Sequence, residues 1–201
     1  MSFLISISLF FFAFTIHEFA HGWVALKLGD PTAKYSGRLT LNPLKHIDPI
    51  GTVLIPVLLY ITHSPFIFGW AKPVPINFLR LGNPKKDIIW VGLAGPMANI
   101  ILAIIIGTIF RMNIAIDINL FVMLRTLGIL NLVLAVFNLI PIPPLDGSRV
   151  LLGLLPNNLA RSYARIEPFG MFILIGLLAF GLLRVIIWPI ISLLAVIIGL
   201  I

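Results

Sequence analysis

The chain has 201 residues, of which 60% are hydrophobic and only 10% charged. Soluble domains carry about 25% charged residues, so composition excludes the soluble classes and marks an all-α integral membrane protein with no room for a second domain of any size. The net charge of +7 then belongs to loops facing anionic lipid rather than to a nucleic-acid surface, and the absence of cysteine excludes disulfides and thiolate chemistry.

Residues 3–26 read as the first span, closed by Gly29, Asp30 and Pro31. It has no basic leader and no small-residue cleavage site before "HEFAH", so it is expected to be retained. Residues 32–48 are polar, and "YSGRLTLN" alternates enough to predict a short strand or hairpin near 34–45. Residues 49–69 are apolar but broken by Pro49, Pro56 and Pro65, which leaves too short a run for a regular crossing. A Pro-rich basic loop, 70–87, leads to spans at 88–110 and about 118–140, joined by a short link. A further span is expected at 169–187, separated by Trp188-Pro189 from an apolar tail, 190–201. The whole reads as a polytopic helical bundle of about four to six membrane segments, with residues 1–201 as one domain.

Basic residues give the orientation. Loop 27–48 holds Lys27, Lys34, Arg38 and Lys45; loop 70–87 holds Lys72, Arg80, Lys85 and Lys86; segment 146–168 holds Arg149, Arg161 and Arg165. These make 4 + 4 + 3 = 11 of the 14 basic residues and place all three stretches on the cytoplasmic side. Two of them flank 49–69, so that segment, which by its length could cross or dip in and return, should start and finish on one side, and a re-entrant hairpin satisfies this. The expected location is a prokaryotic cell membrane, with the functional site opening to the cytoplasm.

Within the first span, "TIHEFAHGW" puts His17, Glu18 and His21 into an otherwise uncharged helix. An ionisable group at bilayer depth costs about 2.5–3.5 kcal/mol, so three need compensation. Positions 17 and 21 lie one turn apart on a single face and can share one ion. Glu18 lies beside them, placed to act on a water at that ion rather than on the ion. Zinc with three protein ligands and an open position is the catalytic pattern, so a third ligand is needed. Lys27 stands where a third histidine of the metzincin pattern would fall. His46 and Asp48 form one rival source. Asp146 in "FNLIPIPPLDGSRV" is the strongest: Pro141, Pro143 and Pro144 bar a regular helix there, and irregular backbone at membrane depth must be buried or line a cavity. Asp146 also reads as an N-cap for a helix over 147–155.

Taken together, "HEFAH" in the first span, "GLAGPMAN" at 92–99 and "NLIPIPPLDG" in a late span resemble the site-2 protease family of intramembrane zinc metalloproteases, in order over residues 15–150. The resemblance implies His17, His21 and Asp146 as ligands of one zinc ion and Glu18 as the catalytic carboxylate. It further implies that Asn138, eight positions before the aspartate, stabilises substrate or oxyanion. The expected substrate is a transmembrane protein, locally unwound. The strand-like Arg38, Leu39, Thr40 and Leu41 would offer it an edge, with Asn99 of the intermediate element as a further contact. Two other readings stay open: a metal transporter or metal-binding protein, with His63 or the "HID" group as a second site, and a membrane protease of the prenyl-protein type, with Glu167 as third ligand.

Overall fold

The computed structural model describes residues 3–62, 72–112 and 114–201. The ordered elements among them are all helical, as lipid demands of a chain whose backbone groups must satisfy one another. In chain order they are α1 Phe3–Lys27, α2 Thr32–Tyr35, α3 Ile55–Ile61, α4 Pro84–Arg111, α5 Ile118–Asn138, α6 Asp146–Leu154, α7 Asn157–Ala164, α8 Gly170–Ala179 and α9 Leu182–Ile198. Four stretches are long and apolar enough to cross a membrane: Leu4–Lys27, Pro84–Arg111, Ile118–Asn138 and Asn157–Ala179, the last combining α7 and α8.

The core lies between α1, α4, α5 and α9. Ala13, Ala103, Ile106, Leu127 and Leu132 are buried there against Leu183, Ile187, Ile191 and Ala195 of α9. Lipid offers no hydrophobic drive for helix association, so close approach over small residues has to supply contact. Gly107 shows this directly: a methyl group there would lie 2.4 Å from the carbonyl oxygen of Ile198. The end of α9 is closed by two cations from neighbouring helices. Arg111 bonds the carbonyl of Ile197, and Arg125 Nε donates to Leu200 O at 3.2 Å, the placement a helix C-terminus favours. At the start of α5, the exposed Asp117 accepts from the amides of Asn119 and Leu120. Those bonds hold its carboxyl below the usual range.

Three expectations need correction. Residues 34–45 form no strand. Lys34 and Tyr35 belong to α2, and Pro43–His46 is a 3-10 turn with the Asn42 side chain accepting from Leu44 N. The alternation of "YSGRLTLN" is too short, and no partner strand exists among the described residues to pair it. The break after α8 falls at Phe180-Gly181, where Gly181 adopts φ 69°, rather than at Trp188-Pro189. Pro189 sits inside α9, whose packed face of Leu183, Ile187 and Ile191 carries the helix past it. Residues 182–198 are therefore a packed helix and not a free tail. Asp146 is the first residue of α6 and caps nothing; Leu145 occupies the cap position without a side-chain bond.

Pro49–Leu54 is wound as a π-helix that runs into α3, and the Lys72 amide donates to His46 O at 2.9 Å. His46 and Lys72 therefore lie side by side. Residues 63–71, with His63 and the remainder of the expected re-entrant segment, lie outside the described residues.

Candidate metal centre

His17 and His21 lie in the second half of α1. At 1.5 Å rise per residue they sit about 15 Å and 9 Å below Lys27. From the opposite direction, α4 brings Val91, Gly95 and Asn99 to a similar depth. The turn after α5 carries Asp146 in from the third side.

The three candidate ligands converge. Asp146 Oδ2 lies 3.0 Å from His17 Nε2 and 3.2 Å from His21 Nε2, and the two imidazole nitrogens are 3.0 Å apart. Both histidines are buried, and no other described group of three or more His, Asp or Glu residues gathers in this way. The outer nitrogens fix the tautomers. His21 Nδ1 faces the carbonyl of Val91 at 2.7 Å. A carbonyl only accepts, so Nδ1 carries the proton and Nε2 presents its lone pair. His17 Nδ1 faces Asn99 Oδ1 at 3.3 Å, which sets the same tautomer. Two imidazole lone pairs pointed at each other and at a carboxylate repel unless a cation lies among them.

The donor set suits zinc, which takes nitrogen at about 2.0–2.1 Å and carboxylate oxygen at about 2.0–2.2 Å. A tetrahedral ion at such distances spaces its donors about 3.4 Å apart, a few tenths of an ångström beyond the separations found here. The protein also keeps the space open. A methyl group on Gly95 would lie 2.4 Å from His21 Nε2 and 2.6 Å from His17 Nε2. One on Gly147 would lie 2.2 Å from Leu139 O, so glycine lets Asp146 fold tightly against the preceding turn.

A cavity of about 320 Å³ opens beside the cluster, with Glu18, His21, Val74, Gly92, Asp146 and Arg149 on its wall. Glu18 lies outside the trio of ligating atoms and is buried; its Oε2 accepts from the Val74 amide at 2.6 Å. Val74 belongs to an extended strap, residues 72–77, held at three further points. Arg38 donates to Lys72 O at 2.7 Å, Asp30 Oδ2 accepts from Asn77 N at 2.6 Å, and Lys72 bonds His46 as above. Beyond the strap, Gly82 N donates to Leu28 O.

The other expected site residues fall elsewhere. Arg38 is buried and spends its guanidinium on the strap rather than facing outward. Thr40 offers its carbonyl to His46 Nε2, while Leu41 is exposed. Leu39 Cδ1 lies in the packing around Gly22. Asn99 is fully buried behind His17, where its Oδ1 faces the imidazole, and it does not line the cavity where a substrate contact is expected. Asn138 donates from Nδ2 to Leu134 O of its own helix at 2.9 Å and is not on the cavity wall. The rivals are also placed: Asp48 caps the turn at Ile50 and Gly51, and Glu167 is exposed and pairs with Arg149. The Val91 carbonyl and the Val74 amide leave no signal in the sequence, whereas Gly95 lies in "GLAGPMAN", four residues before Asn99.

A polytopic helical membrane protein with two histidines of one helix and a distant aspartate gathered beside a buried glutamate has the build of a membrane metallopeptidase. The chain belongs to peptidase family M50, the site-2 protease family of metalloproteases: the family's model matches residues 108–181, and relatives matched over most of this chain agree. "Putative zinc metalloprotease YwhC" of Bacillus subtilis is 39% identical over 189 residues, 90% of this chain and 82% of the relative. "Putative zinc metalloprotease Rip2" of Mycolicibacterium smegmatis is 32% identical, covering 88% of this chain and 67% of the relative. Its namesake from Mycobacterium tuberculosis H37Rv is 30% identical over 81% of this chain and 61% of the relative. No solved structure matches the chain.

Proposed function

We propose that this protein is an intramembrane zinc endopeptidase that hydrolyses peptide bonds in transmembrane segments of other proteins, in a prokaryotic cell membrane, with its site opening to the cytoplasm. The observation that carries this reading is the convergence of His17 Nε2, His21 Nε2 and Asp146 Oδ2 on one point, with Glu18 on the wall of the adjoining cavity. His17, His21 and Asp146 hold one ion. When bound, zinc supplies a Lewis acid that makes water nucleophilic near neutral pH and polarises a carbonyl. Glu18 takes a proton from the attacking water and returns it to the amine as the C–N bond breaks, the two halves of general acid–base catalysis. Strap residues hold Glu18 toward the cavity through the Val74 amide. Val91 and Asn99 hold the imidazoles.

The transporter reading needs a relay of sites. Among the described residues one cluster could hold a metal ion, while His46 and Asp48 are spent on loop bonds. The cytoplasmic opening is supported by the basic loops at the ends of α1 and α4 nearest the cluster.

The test uses the full chain in detergent micelles with a synthetic transmembrane peptide and mass-spectrometric product detection. Removal of metal by a chelator is expected to abolish cleavage, and one equivalent of zinc to restore it. Cleavage that survives with no metal detectable by elemental analysis would defeat the proposal. A second expectation concerns Asn99. Partners that orient a ligating histidine typically contribute 10–100-fold in metal affinity, so Asn99→Ala should weaken zinc binding by about that factor. Asn99→Asp keeps an acceptor at Nδ1 and should retain tight binding. Equal affinity in a zinc titration of Asn99→Ala and the unaltered protein would remove Asn99 from this role.

A further inference from the structure

Among the described residues, Arg149 is the one charged group on the cavity wall that the proposed chemistry leaves unused. The others there are Glu18, His21 and Asp146. Arg149 lies three residues after Asp146 on α6, so the two side chains share a helix face one turn apart. Its position is fixed on three sides. The Cβ packs against Gly92, where an added methyl group would come within 3.2 Å of it. The guanidinium carbon lies 5.1 Å from the centroid of the Phe78 ring, just past the strap. Nη2 bonds Glu167 Oε1 at 3.1 Å, with side-chain exposures of 31% for Arg149 and 48% for Glu167.

That last contact matters because pairs this exposed hold weakly. A planar guanidinium that always carries its charge and is stacked on an aromatic ring is preorganised for a carboxylate. An incoming acid can therefore take the place of Glu167 without rebuilding the site. With the bound dication balanced by Glu18 and Asp146, Arg149 is also the cation that a substrate chain would meet at the cavity.

We infer that Arg149 is a substrate-binding residue that selects transmembrane segments carrying an acidic side chain close to the scissile bond, with Glu167 occupying its guanidinium when no substrate is bound. This rests on the peptidase reading and adds the chemistry of its substrate. One helical turn rises about 5.4 Å and an extended chain about 3.3 Å per residue, so the acid lies within about three residues of the cleaved bond.

The experiment uses the zinc-loaded full chain in micelles and three single-span peptides that differ at one position near the cleaved bond, which is first mapped by mass spectrometry on the Gln form. The Glu peptide is expected to show kcat/KM about tenfold above the Lys peptide, mostly through KM. Arg149→Gln should level the series, and Arg149→Glu should reverse it. Glu167→Gln frees the guanidinium and should raise kcat/KM for the Glu peptide by about two- to fivefold. An ion pair that only braces α6 would give no gain there. Equal cleavage of all three peptides by the unaltered protein, with the series still flat in Arg149→Glu, would overturn the inference and leave the peptidase reading standing. Failure to cleave any peptide by protein shown to hold zinc would overturn both.

Discussion

Glu18→Gln is expected to keep one zinc ion per chain and to lose hydrolysis by about 10²–10⁴-fold, the range general acid–base groups contribute. The separation of the two effects follows from the geometry. Glu18 lies outside the trio of ligating atoms, which His17, His21 and Asp146 complete by themselves. Its structural task is to accept the Val74 amide at 2.6 Å, and a glutamine oxygen can still do that. The strap should therefore stay in place, and the fold with it. What glutamine lacks is a basic oxygen that can hold a transferable proton. Elemental analysis of the purified variant, beside a cleavage assay on the same preparation, checks both halves. A variant that retains zinc and still cleaves at the original rate would remove Glu18 from the chemistry. One that loses zinc would show that its carboxylate supports the ion.

Gly95→Ala should act in the opposite way, abolishing metal binding and, with it, activity. The added methyl group would come within 2.4 Å of His21 Nε2 and 2.6 Å of His17 Nε2, well inside van der Waals contact with the atoms that bind the ion. The obstruction cannot be relieved cheaply. Gly95 is buried in the middle of α4, a 28-residue helix, and both histidines are pinned from behind by Val91 and Asn99. Alanine is otherwise the better helix former, by about 0.8–1 kcal/mol, so α4 itself should not suffer. The expected result is a folded, helical protein by circular dichroism that retains little zinc after purification. Stoichiometric zinc in Gly95→Ala would mean that the imidazoles sit further from α4 than found here.

Much of the site was legible because its signals are local. His17 and His21 at one-turn spacing, with Glu18 between them, follow from helical periodicity alone. The three prolines ahead of Asp146 announced irregular backbone, and the structure places that aspartate at the two histidines, 125 and 129 residues away in the chain. Other expectations failed where a short pattern had to stand in for its surroundings. Alternation in "YSGRLTLN" says nothing about whether a partner strand exists. A proline at position 189 says nothing about the packed face that keeps α9 continuous through it. Arg38 reads as a loop cation on an edge for substrate, yet it is buried, with its guanidinium on the carbonyls of Lys72 and Pro73.

The amino-acid sequence by itself determined that this protein lives in a bilayer, which loops carry its positive charge, and which side chains stand ready for a metal ion. These properties depend on composition and on spacings within one or two helical turns, where the geometry of the backbone is fixed in advance. Only the tertiary structure decided what surrounds those side chains: Asn99 behind His17, Val91 behind His21, the emptiness at Gly95, the Val74 amide on Glu18 and Arg149 at the cavity. Each of these is a meeting of segments far apart in the chain, set by how α1, α4 and α6 pack, and no local period encodes such a meeting.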